Sequence, residues 1–271
     1  MTEKTPRTRL PFGLGTVDAR TADEMVEEIV RGSHRGRIIG NMNLHGLFLY
    51  RTDEQFKRYC DEAETVLIDG WPVLALARGL GRSNLTPAHR IGSTDWLFPL
   101  IEYDQPLTIV AVGGTPEASA AASAAVESGA KRLVWHAFDG FEGQYRGAGT
   151  PITLSEALAQ ADLVLVGMGM PQQERWVMKY RSQAPQAAFA NVGGCLDYLG
   201  GVQALAPRWM GAAGIEWAFR LVHDPRRLAG RYLVEPLKLA RLLAKDLLTG
   251  RHSDPPKTAH ANERSLRTGA E

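Results

Sequence analysis

LTIVAVGGTPEASAAASAAVESG, residues 107–129, decides the fold class. The run LTIVAVGG is aliphatic and β-branched and stops at a double glycine, as a buried strand does. Thr115, Pro116 and Glu117 then put a hydroxyl, a proline and a carboxylate in the order that starts a helix, with proline at the first helical position. An alanine-rich helix follows. A strand that hands over to a helix within a few residues is half of a βαβ unit.

The same hand-over recurs along the chain in both directions. RIIGNMN from Arg37, TVLID from Thr65, RLVWHAF from Arg132, DLVLVGMG from Asp162 and AAFANVGG from Ala187 are short apolar runs bounded by Gly or Asp. Thr21 with Glu24 makes a capping box ahead of MVEEIV. Pro171 is expected to open QQERWVMKYRS as Pro116 opens its own helix. The alternation predicts an α/β fold, a doubly wound, mostly parallel, Rossmann-like sheet with helices on both faces. Beyond about Pro207 the pattern is helix alone, first GIEWAFRLVHD, then a segment that begins near Pro225 and is interrupted or restarted at Pro236. The chain thus divides into an α/β core over residues 1–206, a basic helical appendage over 207–251, and a polar tail over 252–271 that is expected to be disordered.

Composition narrows the function classes. A chain of 271 residues can bury a full core, and a net charge of +1 excludes bulk attraction to nucleic acid as its main theme. Cys60 and Cys195 stand far apart in no metal-ligand spacing, and a reduced compartment is the economical reading. The start MTEKTPRTRLPFG has no apolar centre for a signal peptide, and no stretch approaches the roughly 20 apolar residues needed to span a bilayer. The expectation is a cytoplasmic protein that is free to sit on a membrane.

In a doubly wound sheet, ligands bind beyond the carboxyl ends of the strands. That rule selects Asn41 and Asn43, Asp69 and Gly70, Gly113 to Thr115, Gly167 to Gln173, and Gly193 to Asp197. Asp69, after the aliphatic Val66 to Ile68, is placed for general-base work, or else caps the helix that starts near Pro72. Gly113, Gly114 and Thr115 form either a phosphate-cradling turn or one of the ordinary glycine turns of α/β folds. In GMGMPQQERW, Gly167 and Gly169 loosen the strand exit. Gln172, Gln173 and Glu174 in the first turn of the next helix can hydrogen-bond a sugar or base, or can simply cap. Arg90 in HRIGSTDW is an anion ligand or a surface residue, and spacing does not choose. The scattered histidines support neither a triad nor a metal cluster.

The last third is visibly basic. Asp197, Arg208, Arg220, Arg226, Arg227 and Arg231 lie close together in loops and helix starts, as if built around something anionic. At about 100° per residue, Arg231, Lys238, Arg241 and Lys245 share a narrow arc, with Leu233, Leu237, Ala240, Ala244 and Leu247 opposite. Such a helix lies on an anionic membrane surface, or it docks its apolar face on the core and leaves its lysines in water. Exposed apolar faces on these helices could also meet a second subunit.

Taken together, these motifs resemble the WecG/TagA/CpsF family of bacterial glycosyltransferases, glycosyltransferase family 26, from roughly Asn41 to Tyr232. The resemblance is carried by the Asn43 region, Asp69-Gly70, Arg90-Ile91-Gly92 with Asp95, GMGMPQQERW, Gly193-Gly194 with Asp197, Ala206-Pro207 with Trp209, and GIEWAFRL followed by DPRRLAGRY. It implies an inverting transferase that needs no metal or other cofactor. Such an enzyme moves a sugar from a UDP donor to a sugar on a polyprenyl diphosphate at the inner face of the cytoplasmic membrane. Under it Asp69, Arg90 and Gln173 are the expected catalytic set. Asn41, Asn43, Gly70, Gly113, Gly114, Thr115, Gly167, Gly169, Gln172, Glu174, Gly193, Gly194, Asp197, Arg220, Arg227 and Arg231 are the expected substrate-binding set. No DxD pair occurs to hold a metal–nucleotide complex. The chain departs from the family at Asn41-Met42-Asn43, where members usually carry Thr-Leu-Asn, and at Gln172, where they carry lysine, so the donor sugar is not carried over. Two rival classes make different demands. A soluble nucleotide-dependent enzyme calls for a GxGxxG turn that this chain lacks. A non-catalytic membrane adaptor needs the basic helices but neither Asp69 nor the PQQE block.

Overall fold

All six aliphatic runs become parallel strands in a computed structural model that describes residues 7–79 and 84–249. A short antiparallel hairpin, β1 (Thr8–Arg9) and β2 (Thr16–Val17), comes first. The sheet is built from β3 (Ile38–Met42), β4 (Thr65–Ile68), β5 (Thr108–Gly113), β6 (Val134–Phe138), β7 (Leu163–Gly167) and β8 (Ala188–Asn191). Their spatial order is β4-β3-β8-β7-β5-β6, with every neighbouring pair parallel.

The helices are α1 (Ala22–Val30), α2 (Leu44–Thr52), α3 (Glu54–Glu62), α4 (Trp71–Arg78), α5 (Ser93–Glu102), α6 (Pro116–Gly129), α7 (Leu154–Gln160), α8 (Gln172–Tyr180) and α9 (Cys195–Leu199). Alternate residues of each strand point to opposite faces, so the sheet has two cores. Val110, Val112, Val164 and Val166 pack with Leu47 of α2, Phe56 of α3, Val73 of α4 and Val177 of α8. Ile109, Ala111, Leu163 and Leu165 pack with Met25 of α1, Trp96 of α5, Val126 of α6 and Leu196 of α9 on the other face. The doubly wound expectation is met.

This distribution opens a crevice. The helices that leave the adjacent strands β3, β8, β7 and β5 are α2, α9, α8 and α6, and they turn alternately to one face and the other. Diverging helices leave the strand ends between them uncovered. Glycine lets those ends crowd together. At Gly113 φ is 149°, and a Cβ there would fall 2.3 Å from the carbonyl oxygen of Gly167, so no side chain fits.

Local signals act largely as read. The hydroxyl of Thr21 accepts from the Glu24 backbone N–H at 3.3 Å while the Glu24 carboxylate accepts from Thr21 at 2.8 Å. Thr115 caps α6 by accepting from Ala118 at 3.2 Å, with Pro116 at the first helical position. Pro171 is a correction. It follows a cis peptide bond and is the N-cap of α8, so the helix starts one residue later, at Gln172. The β1–β2 hairpin went unread because two-residue strands carry no period. The residue that follows it, Asp18, protects the sheet edge: its carboxylate accepts from the Val66 N–H at 2.8 Å on the edge strand β4.

After Pro207 come α10 (Arg208–Ala212), α11 (Glu216–His223), α12 (Pro225–Ala229), a π turn over Gly230–Val234, and α13 (Glu235–Thr249). The expected interruption at Pro236 is this π turn. Proline in the first turn of α13 cannot donate back into the preceding turn, and the chain widens there without breaking. The extra turn also corrects the helical wheel. Arg231 does not share the lysine face but points into the protein. The core-facing side of α13 is a third one: Leu239 is buried, Leu243 packs beside it, Glu235 meets His45 and Asp246 pairs with Arg51 at 2.5 Å. The tail from His252 lies outside the described residues, as does the side chain of Arg208.

Candidate active site

Asp69 lies at the end of β4, its backbone N–H bonded to the Met42 carbonyl at 2.9 Å. It does not cap α4, whose N-cap is Gly70 with φ of 99° and no side-chain bond. Its partner is Asn43, which divides its amide between two tasks. The Asn43 carbonyl oxygen accepts from the Gly46 N–H at 3.0 Å and caps α2, and the Asn43 NH2 donates to Asp69 Oδ2 at 3.1 Å. The cap fixes the amide, so the amide fixes the carboxylate. Asp69 Oδ1 faces Gly92, where a Cβ would come within 3.8 Å. Burial pushes the Asp69 pKa above the usual carboxylate range, although Arg220, the Asn43 bond and Arg231 all pull it down and Glu216 adds a like charge. A raised pKa makes this carboxylate a stronger base than a free one.

Two arginines, Arg220 and Arg231, act on the acid through their charge, and a third, Arg90, lies on the neighbouring Trp71. Arg90 forms an isolated parallel bridge with Ile68 of β4, stands 5.5 Å over the Trp71 ring, and keeps a buried Nε–H that no protein group accepts. Arg220 pairs with Glu216 one turn earlier and lies 5.5 Å over Tyr198. Arg231, carried by the π turn, stands 5.9 Å from the Tyr232 ring and also keeps a buried, unaccepted Nε–H. Burial lowers the Arg231 pKa, with Tyr232 and Asp69 opposing, but a guanidinium stays charged at any ordinary pH. Buried cationic donors without protein acceptors are suited to an anion. The indole of Trp71 donates to the Gly211 carbonyl at 3.0 Å and ties α4 to α10. The appendage is thereby fastened where the charge of Arg220 and Arg231 acts on Asp69.

A second group of expected residues gathers at β5, β7 and β8. Asp197 on α9 lies against both glycine turns, since a Cβ on Gly114 would meet its Oδ1 at 3.4 Å and one on Gly194 its Oδ2 at 3.5 Å. Burial raises its pKa and Arg227 lowers it. Gly167 is buried beneath Gly193, while Gly169 and Gly193 have open space where a Cβ would stand. Gln172 is exposed at the start of α8.

Several expectations need correction. Arg227 faces outward and pairs with Asp224 at 2.5 Å, so it acts near Asp197 only through its field. The hydroxyl of Thr115 is engaged by its own helix. Gln173 and Glu174, read as donors to a sugar or base, are each 1% exposed and lie beneath the cleft floor. Asn41 is buried too, its NH2 donating to the Asn191 carbonyl at 2.5 Å and to Ser93 Oγ at 3.1 Å. Sequence reasoning missed Asn191, although a polar residue ending the apolar run AAFANVGG gives the same signal as Asn41. It also missed Tyr198, Glu216 and Tyr232, which contact the appendage arginines, and the His45–Glu235 pair that holds α13, none of which carries a motif of its own. Among the described residues no group of three His, Cys, Asp or Glu is arranged to hold a metal ion.

Residues 11–253 match the pattern of the glycosyl transferase WecG/TagA/CpsF family. Three similar proteins bear the name N-acetylglucosaminyldiphosphoundecaprenol N-acetyl-beta-D-mannosaminyltransferase. The protein of Bacillus subtilis (strain 168) is 38% identical over 71 residues, 26% of this chain and 28% of its own. That of Bacillus spizizenii is 35% identical over 103 residues, 36% and 40% of the two chains. That of Staphylococcus aureus (strain MW2) is 33% identical over 85 residues, 31% and 33%. The aligned stretch therefore spans well under half the length of these relatives.

The double role of Asn43 leads to a prediction. Asn43→Asp keeps an oxygen for the Gly46 cap, so the helix start itself is retained. It also replaces the NH2 that serves Asp69 with a like charge, so the Asp69 titration moves to higher pH. Carbon-13 NMR of the labelled carboxylates reads this, and an unmoved Asp69 titration would contradict the assigned contact.

Proposed function

The chain belongs to the WecG/TagA/CpsF family of glycosyl transferases, and on that premise we propose that it moves a sugar, with inversion, from a UDP donor to a sugar carried on a polyprenyl diphosphate. The acceptor named in its relatives, N-acetylglucosaminyl-diphospho-undecaprenol, is the first candidate here, and N-acetylmannosamine is the first donor sugar to test. The reading places the reaction in the synthesis of a bacterial surface polysaccharide.

One observation carries the proposal: a strand-end carboxylate, oriented by the Asn43 amide, in the field of Arg220 and Arg231. In the scheme the acceptor hydroxyl gives its proton to Asp69 as its oxygen attacks the anomeric carbon from the face opposite UDP. The bond to the UDP oxygen breaks on the other side, and the charge it leaves is met by arginine N–H donors and the amides of the glycine turns. These cations take the place that a divalent metal would hold. The donor diphosphate belongs over Gly113, Gly114 and Gly193, with Asp197 beside its ribose, and Arg90, Arg220 and Arg231 bridge toward the acceptor. Because the base must be ionised, turnover rises with pH through the Asp69 pKa, above the ordinary value of 3.8.

Asp69→Asn keeps the shape and removes the base. It should lower kcat by about 100- to 10,000-fold while UDP binding by calorimetry stays close to wild type. Undiminished turnover would remove Asp69 from the mechanism.

The appendage supports a second element of the proposal, a peripheral seat on the inner face of an anionic membrane. No helix of the described residues is long and apolar enough to cross one. With one side of α13 on the core, Leu233, Leu237, Leu247 and Leu248 stand 53%, 72%, 54% and 88% exposed. Lys238, Arg241 and Lys245 are exposed alongside. An uncovered leucine stripe edged with cations matches an interface of acyl chains and acidic headgroups. The pair Leu237→Glu with Leu248→Glu should release the protein from phosphatidylglycerol-containing vesicles in flotation and leave its melting temperature unchanged. Wild-type flotation of that variant would contradict the membrane seat.

A further inference from the structure

Beneath the cleft floor lies a polar cluster that the transfer scheme leaves unused. Gln173, Glu174 and Asn191 are each 1% exposed and Asn41 is 7% exposed. Glu174 Oε1 is the hub, accepting from Gln173 Nε2 at 2.9 Å and from Asn191 Nδ2 at 2.9 Å. The remaining ends reach the site. Gln173 Oε1 accepts from the Gly193 backbone N–H at 3.2 Å, and the carbonyl of Asn191 accepts from Asn41 at 2.5 Å. One carboxyl thus links the first turn of α8, the ends of β8 and β3, and the glycine turn that leads to Asp197.

The unpartnered atoms say which form of the carboxyl fits. Glu174 Oε2, Asn191 Oδ1 and Asn41 Oδ1 are buried without a hydrogen bond, and the Tyr59 hydroxyl is buried unpartnered as well. An ionised Glu174 would add a charge and a third bare acceptor to this group. A proton on Oε2 removes the charge and supplies a donor, while Oε1 keeps both amide bonds. The titratable groups that face it are few. From α3 come Tyr59 and Cys60, both buried and held neutral by burial, with the field of Glu174 adding to each. From the appendage comes Arg231, which also serves Asp69. Burial outweighs Arg231 and the two amide bonds, and the Glu174 pKa is pushed up to about 7.

We propose that Glu174 is a positioning residue that works as a neutral acid, holding Gln173 and Asn191 so that the Gly193 turn and the end of β3 keep the geometry needed for the donor. Ionisation adds a charge that competes with Asp69 and the diphosphate for Arg231. The positioning role rests on the glycosyl-transfer reading; the protonation state does not.

The sign follows from linkage. The native pKa lies above the ordinary value of 4.5, so the native state holds a proton that the unfolded chain gives up, and the contribution is lost as pH rises through about 7. Melting temperatures of wild type, Glu174→Gln and Glu174→Ala, taken without substrate from about pH 5 to pH 8.5, test this directly. The wild type should melt several degrees lower at the alkaline end, and Glu174→Gln, a fixed neutral analogue, should lose most of that slope. Glu174→Ala should lower kcat by about tenfold or more, and Glu174→Gln should restore most of it with the alkaline limb of the rate profile moved upward. A wild-type melting slope in Glu174→Gln, or turnover in Glu174→Gln as poor as in Glu174→Ala, would overturn the proposal. If the wild type transfers no sugar while the melting slopes differ as expected, it is the glycosyl-transfer reading that fails.

Discussion

A carboxylate at the end of a buried parallel strand is short of water and needs charge of the opposite sign, and this chain brings that charge from its far end. Asp69 is set by the edge of the sheet and oriented by one amide of Asn43. Its cations come from Arg220 and Arg231, on elements that follow the last strand of the sheet in the chain. The appendage must therefore be docked for the acid to have its working environment. Trp71 on Gly211, Glu235 on His45 and Asp246 on Arg51 are the contacts that dock it. Those contacts support the core and the chemistry together. The same appendage turns its uncovered leucines and lysines outward, and a surface that brings the site to a lipid-linked substrate is a consistent use for them.

The sheet supplies the other half of the site through its winding. Strands β3, β8, β7 and β5 send their helices to alternate faces, and the uncovered ends collect glycines that crowd too closely for side chains. Backbone amides and helix starts are then the natural ligands for a diphosphate, with Asp197 placed between two of the turns. Charge is divided between the two halves, with Arg220 and Arg231 on the appendage side and Arg90 and the glycine amides on the sheet side. Under the proposed transfer, a nucleotide leaving group would be met from both directions.

How much of this was legible depended on range. The six strands were plain because each is an aliphatic run stopped by Gly or Asp, and both parallel-sheet faces are buried. Thr115 and Thr21 announced their helices because capping is local. The inward turn of Arg231 was not legible, since it follows from a π turn that a fixed angle per residue does not represent. Glu174 reads as a first-turn residue that hydrogen-bonds a sugar or base, or else caps its helix. Only the packing of α8 on β8 and α3 shows that it is sealed beneath the floor. Asn191 escaped notice because a single asparagine in an apolar strand has meaning only once its neighbours in space, Asn41 and Glu174, are known.

The central claim is that protein cations and Asp69 suffice for sugar transfer to a lipid diphosphate acceptor. A panel of UDP-sugars, incubated with a short-chain N-acetylglucosaminyl-diphospho-lipid in excess EDTA and read by product mass, tests it most directly. The account predicts that one donor adds a single sugar to the acceptor, at a rate that added magnesium or manganese does not raise. Transfer that appears only when a divalent metal is restored would contradict it, as would no mass gain from any donor with or without metal.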